Sequence, residues 1–191
     1  MKHEKNSRGA LSEFGQVLHD VIQQLVDFPE DVEVNEIICE QMTVFEVSVR
    51  QVDHGKVVGR AGANIEAVRV IALCRGGRDQ HRYRIELIED AVEPSQRHVL
   101  STHPSHTQDP VMCTTALLGR IVQSLVDEPD RVTIRPLEGT ATAVFEVEVD
   151  PADVRKVLGR RGQTADALRR LITSMGCREN RRYLLTIVEP G

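Results

Sequence analysis

The chain repeats itself at an interval of 100 residues, and that repeat limits the fold more than any other feature. "LVDFPEDV" (25–32) returns as "LVDEPDRV" (125–132). "VFEVSV" (44–49) returns as "VFEVEV" (144–149), and "KVVGR" (56–60) as "KVLGR" (156–160). "RY" stands at 82–83 and again at 182–183. Residues 21–90 and 121–190 align without a gap and agree at roughly a third of their positions. A fixed period of this kind marks a duplicated unit. Each unit must therefore close a modest core of its own within about 80 residues.

The stretch between the repeats, "EPSQRHVLSTHPSHTQDP" (93–110), is polar and proline-containing and reads as a linker. As a flexible coil it would span roughly 25 Å. The expected organisation is a tail over 1–10, a first domain over 11–92, the linker over 93–110 and a second domain over 111–191. His98, His103 and His106 cluster in the linker without the spacing of a metal site. Cys39, Cys74, Cys113 and Cys177 stand singly, so they read as small buried apolar residues or free thiols. No metal and no cofactor is expected. The N-terminus, "MKHEKNSRGALSE", lacks the apolar core of a secretion signal, and no run is long enough to span a membrane. A soluble, cytoplasmic protein is expected.

Within the first copy, Phe14, Val17, Leu18, Val21, Ile22, Leu25 and Val26 recur at helical spacing over 14–27. Pro29 breaks the pattern. "VEVNEII" (32–38) and "MTVFEVSV" (42–49) alternate as strands, with Phe45, Val47 and Val49 on one face. Asp53 is placed to cap a short helix reaching Val58. In the second copy, Asp150 and Pro151 fill the cap and first helical positions, with Asp153 in the first turn. A longer helix is expected from about Gly62 to Cys74, burying Ile65, Val68, Ile71 and Ala72. A third strand follows over 82–89. Three strands and three helices make a two-layer α+β domain.

Two glycines three apart interrupt this helical sequence in both copies: Gly59-Arg60-Ala61-Gly62 and Gly159-Arg160-Arg161-Gly162. Glycine inside a helix costs about 1 kcal/mol relative to alanine. Its return at the same place implies a tight turn between two helices, either for positive φ or for close approach of a ligand. The second helix would start there, with N–H groups that attract phosphate. The sequence has neither a Walker loop nor a dinucleotide fingerprint.

Charge is sorted along each copy. The protein carries −5 overall. Residues 54–84 hold seven basic and two acidic residues, whereas 11–53 hold one basic and ten acidic. Residues 154–184 hold nine basic and two acidic, against three and eight over 111–153. The basic half of each copy surrounds the glycine turn, as a nucleic-acid site requires. Aromatics are 3% of the chain, too few for a stacking platform, and Tyr83 and Tyr183 read as packing at the edge of the core. No nucleophile with its base and orienting partner recurs in both copies, so an enzyme is not expected.

The phrase "LVD-P" before the first strand and the "KVVGRAG" or "KVLGRRG" corner after the second resemble the KH domain family. The helix-first order is similar to its type II, prokaryotic form, and closest to the small bacterial KH proteins of the KhpA type. The likeness covers about 14–90 and 114–190. It implies two tandem KH domains, each running helix, strand, strand, helix, GxxG, helix, strand. In that family the GxxG loop clamps the backbone of about four single-stranded nucleotides. The residues it assigns to RNA are Lys56, Gly59, Arg60, Ala61, Gly62 and Arg69, with Lys156, Gly159, Arg160, Arg161, Gly162 and Arg169. It implies an RNA chaperone or post-transcriptional regulator, partnered by single-stranded RNA and by another KH-type protein. Ala61 stands where relatives carry a polar or basic residue, and Ala63 and Gln163 replace a basic residue after the second glycine. Weaker binding is expected of the first copy. The rival reading is a protein-interaction module with incidental RNA affinity, in which the copies pair as an intramolecular pseudo-dimer.

Overall fold

The computed structural model describes residues 11–88 and 109–188. The chain divides into two compact units, one repeat in each. The first contains α1 (Glu13–Leu25), β1 (Glu33–Ile38), β2 (Met42–Ser48), α2 (Gln51–Val58), α3 (Ala63–Asp79) and β3 (Arg82–Leu87). The second contains α4 (Pro110–Leu125), β4 (Thr133–Glu138), β5 (Thr142–Glu148), α5 (Val154–Leu158), α6 (Gln163–Arg178) and β6 (Arg182–Val188). The tail over 1–10, most of the linker and its three histidines lie outside the described residues.

Each unit has a three-stranded sheet in sequence order. β1 and β2 form an antiparallel hairpin, and β3 lies parallel to β2 on its other side. The second unit repeats this pairing. Alternation in β2 buries Thr43, Phe45 and Val47, while the residues between them are half-buried. The helices close that face: α1 packs on β1, α3 packs on β3, and α2 touches both helices. Phe14, Phe45 and Tyr83 meet there with ring centroids 5.3–5.7 Å apart. Such a contact is worth about 1 kcal/mol beyond the area it buries. α3 presents Ile65, Val68, Ile71 and Ala72 to the core, as the helical spacing predicts.

Several local expectations are corrected. Asp53 does not cap α2; it lies inside the helix with its carboxylate fully buried. Asp150 Oδ1 does accept the Ala152 N–H at 2.9 Å, but residues 151–153 form a turn and α5 starts at Val154. Ser12 is the cap of α1, accepting the Gly15 N–H at 3.0 Å. Pro110, read with the linker, is the first residue of α4, capped by Asp109. α3 runs past Cys74, through Gly76 and Gly77, to Asp79. Gly76 belongs there because a Cβ would lie 2.4 Å from the His81 carbonyl oxygen, so the chain can turn back tightly into β3. Cys39 and Cys177 are exposed, and Cys74 and Cys113 are half-buried; all four are free thiols, and none packs as a buried apolar residue. No helix of the described residues is long and apolar enough to cross a membrane.

Candidate nucleic-acid interface

The glycine turn has the same shape in both units. Gly59 has φ 73° and Gly62 has φ 77°; Gly159 and Gly162 have φ 73° and 80°. The two glycines of each pair answer different demands. A Cβ on Gly59 would sit 2.6 Å from the Asn64 side chain, and one on Gly159 would sit 2.1 Å from Thr164 Oγ1. The first glycine is therefore required by close packing of the turn on the helix that follows. A Cβ on Gly62 or Gly162 would meet nothing within 4 Å. That side of the turn is open space, and only the positive φ calls for glycine. Between them, Ala61 (φ 53°) and Arg161 (φ 57°) are also left-handed. For a non-glycine residue this costs about 1–2 kcal/mol, and such strain gathers at functional loops. Asn64 Nδ2 donates to the Lys56 carbonyl at 2.8 Å, closing the end of α2. Arg60, Arg160 and Arg161 are exposed and have no ion-pair partner among the described residues.

Lys56 and Lys156 are differently placed. Lys56 Nζ bridges the carboxylates of Asp27 and Asp53, the latter at 3.1 Å. Asp53 in turn accepts the N–H groups of Asp27 and Phe28, both at 3.0 Å. The second unit repeats the arrangement. Asp153 Oδ2 accepts from Asp127 and Glu128 N–H at 3.0 Å, and its Oδ1 meets Lys156 Nζ at 2.7 Å. Asp127 completes the bridge. This clamp ties the loop after the first helix to the short helix that leads into the glycine turn. Burial alone would push the Asp153 carboxyl up; the bond from Lys156 and the two backbone N–H groups outweigh it and hold it below 3.8. The bonds to Asp127 and Asp153 push Lys156 up from 10.5, against a smaller effect of burial. For Lys56, burial opposes the bonds to Asp27 and Asp53, and the net direction is up.

A cleft of about 480 Å³ lies between α3, from Glu66 onward, and the edge strand β3. Arg69, Val70 and Leu73 of α3 form one wall, and Tyr83, Arg84 and Ile85 of β3 the other. Arg69 Nη1 stands 3.9 Å from Glu66, and Arg169 is 3.0 Å from Asp166 in the matching place. Tyr83 donates its hydroxyl proton to Asp79 at 3.0 Å; burial, then that bond, push its pKa above 10.0. Arg69 is among the residues assigned from sequence; Val70, Leu73 and Arg84, which line the cleft with it, are not. Leu73 was the available signal: a large apolar residue off the buried stripe of α3, 71% exposed.

Comparison with known proteins agrees with this architecture. The family model described as KhpA/KhpB, KH domain, matches twice, over residues 15–87 and 115–187. The chain belongs to that family and carries two KH domains in tandem. It is 39% identical over 72 residues to the RNA-binding protein KhpA of Chlamydia pneumoniae, covering 38% of this chain and 92% of that one. It is 42% identical over 67 residues to the RNA-binding protein KhpA of Aquifex aeolicus (strain VF5), covering 35% and 85%. Each relative is thus about as long as a single repeat. Among solved structures, the crystal structure of APE1850 matches at 16% identity and a TM-score of 0.29, covering 92% of this chain and 100% of that one; the likeness is too distant to bear on fold or site.

Proposed function

We propose that this protein binds single-stranded RNA, with each glycine turn clamping the sugar-phosphate backbone and the adjoining cleft receiving bases. The observation that carries this reading is the turn itself. Unpaired Arg60, or Arg160 with Arg161, stands in a turn whose third residue is left-handed, just before a helix and beside a glycine whose outer side is empty. Helix starts offer N–H groups to phosphate. The relatives' designation as RNA-binding proteins supports the same class of ligand. Arg69 and Arg169 line the path beyond the turn. Lys56 and Lys156 act as positioning residues through the carboxylate clamp, and an RNA chaperone or regulatory role follows from sequence-tolerant backbone binding.

Affinity for an unstructured oligoribonucleotide should fall with salt, with a log–log slope of about −0.7 per phosphate contacted. A slope near zero would refute backbone clamping. A second reading, docking of another KH-type chain, is favoured by one feature. Leu137, Val144 and Leu184 lie in register across the outer face of the second sheet, with Leu137 and Leu184 exposed. Sedimentation of Leu184→Arg against the parent tests it: loss of self-association or of partner binding supports docking there.

A further inference from the structure

α3 does not end where the cleft ends. It continues beyond Leu73 to Asp79, and a second hollow of about 600 Å³ lies beside this last stretch. The two hollows share Leu73, Tyr83 and Arg84, so they form one trough. The second adds Gly77, His81 and Arg82 to its lining.

Two features of this far end are not explained by the fold. Gly76 is needed for the return into β3, but Gly77 is not. A Cβ at Gly77 would meet nothing within 4 Å, and its φ is not positive. Alanine there would favour the helix by about 1 kcal/mol. The missing side chain leaves bare helix backbone facing the trough. Leu73, 71% exposed, stands one helical turn earlier on the same wall. Across from it Arg82 is exposed, with no ion-pair partner among the described residues. A flat apolar surface, room beside it and a free guanidinium suit a nucleobase and its phosphate.

We propose that the first domain holds an additional nucleotide subsite at the C-terminal end of α3, floored by Gly77, walled by Leu73 and edged by Arg82. RNA leaving the cleft would continue into it, lengthening the footprint of this domain. The proposal rests on the RNA reading of the first domain. It does not extend to the second, where Thr173 replaces the apolar wall and Cys177 puts a side chain where Gly77 leaves the backbone bare, although Arg182 matches Arg82.

The test uses the full chain with Arg160→Asp and Arg161→Asp, which leaves the first domain to bind alone. Affinities for a tetranucleotide and a hexanucleotide are compared in this background, with Gly77→Glu and separately with Arg82→Ser. The hexanucleotide should bind about tenfold more tightly than the tetranucleotide. Either substitution should remove that gain and leave tetranucleotide affinity within about twofold. Gly77→Glu has open space to enter, and an unchanged melting temperature confirms folding. If both variants retain the full gain, the subsite is refuted while the cleft stands. If this background binds neither oligonucleotide, the RNA reading of the first domain fails and the subsite with it.

Discussion

The two domains share the same skeleton and differ on the surface that would face RNA. Asp53 and Asp153 each hold two backbone N–H groups and a lysine, 26 and 25 residues from the N–H groups they reach. The first glycine of each turn is wedged against the helix that follows. These features recur because the turn cannot be shaped without them. The groove wall is not held in common. Val70, Leu73 and Arg84 in the first domain correspond to Arg170, Thr173 and Leu184 in the second. Beneath the wall, Arg75 and Asp79 hold the Tyr83 hydroxyl side of the cleft, whereas in the second domain Met175 and Tyr183 are both buried. The loop differs in the same sense: Arg161 adds a cation where the first domain has Ala61. Duplication thus preserved the scaffold of the turn and left two different surfaces beside it, a more apolar one first and a more cationic one second.

Removing the shared clamp should have the largest effect and should strike both domains alike. Asp53→Ala and Asp153→Ala each strand two backbone N–H groups and a lysine, at a cost of about 3 kcal/mol, read by chemical denaturation. A much smaller loss in either domain would break the claimed equivalence. The clamp also sets an acid limit. The folded carboxyl of Asp153 lies below 3.8, so its contribution is complete above that pH and is lost as pH falls through the depressed value. The stability gap between the parent and Asp153→Asn should therefore close on acidification, measured by urea unfolding from neutral pH downward. Lys156, raised above 10.5, contributes fully below that pH and loses its contribution as pH rises through its folded value.

Alanine at the first glycine separates the domains. Gly159→Ala meets Thr164 Oγ1 at 2.1 Å, whereas Gly59→Ala meets the side chain of Asn64 at 2.6 Å. Both also strain a positive φ, so each should cost about 2–3 kcal/mol, with Gly159→Ala the worse. Equal melting temperatures would contradict that difference. The smallest effect is a gain. Arg161→Gly relieves a left-handed residue and should stabilise the second domain by about 0.5–1 kcal/mol while weakening RNA binding. Stabilisation without loss of affinity would show that the strained arginine does not contact RNA.

The repeat, the helix stripe and the glycine corner were legible in the sequence because each is a local pattern. Phe45, Val47, Ile65, Val68 and Ile71 could be assigned to the core from spacing alone, and all are buried. The clamp was not legible. Asp53 looked like a helix cap because its partners, the N–H groups of Asp27 and Phe28, lie far back in the chain. The charge of Lys56 is visible in sequence, but its carboxylate partners, Asp27 and Asp53, are not. The recurrence of "LVD" 26 residues before "DxxK" in each copy was the only trace. The groove wall was missed for a related reason: Leu73 stands off the helical stripe in sequence, but the strand that faces it across the cleft is set there only by the fold.

The central claim is that the glycine turns hold the RNA backbone, the second more strongly than the first. Its most direct test is titration of a labelled single-stranded oligoribonucleotide, followed by fluorescence anisotropy, against the parent, Arg160→Asp/Arg161→Asp and Arg60→Asp/Ala61→Asp. The account predicts unchanged melting temperatures, a loss of affinity of about tenfold or more for the second-domain variant and a smaller loss for the first. Parent-like affinity in a folded Arg160→Asp/Arg161→Asp protein would contradict it.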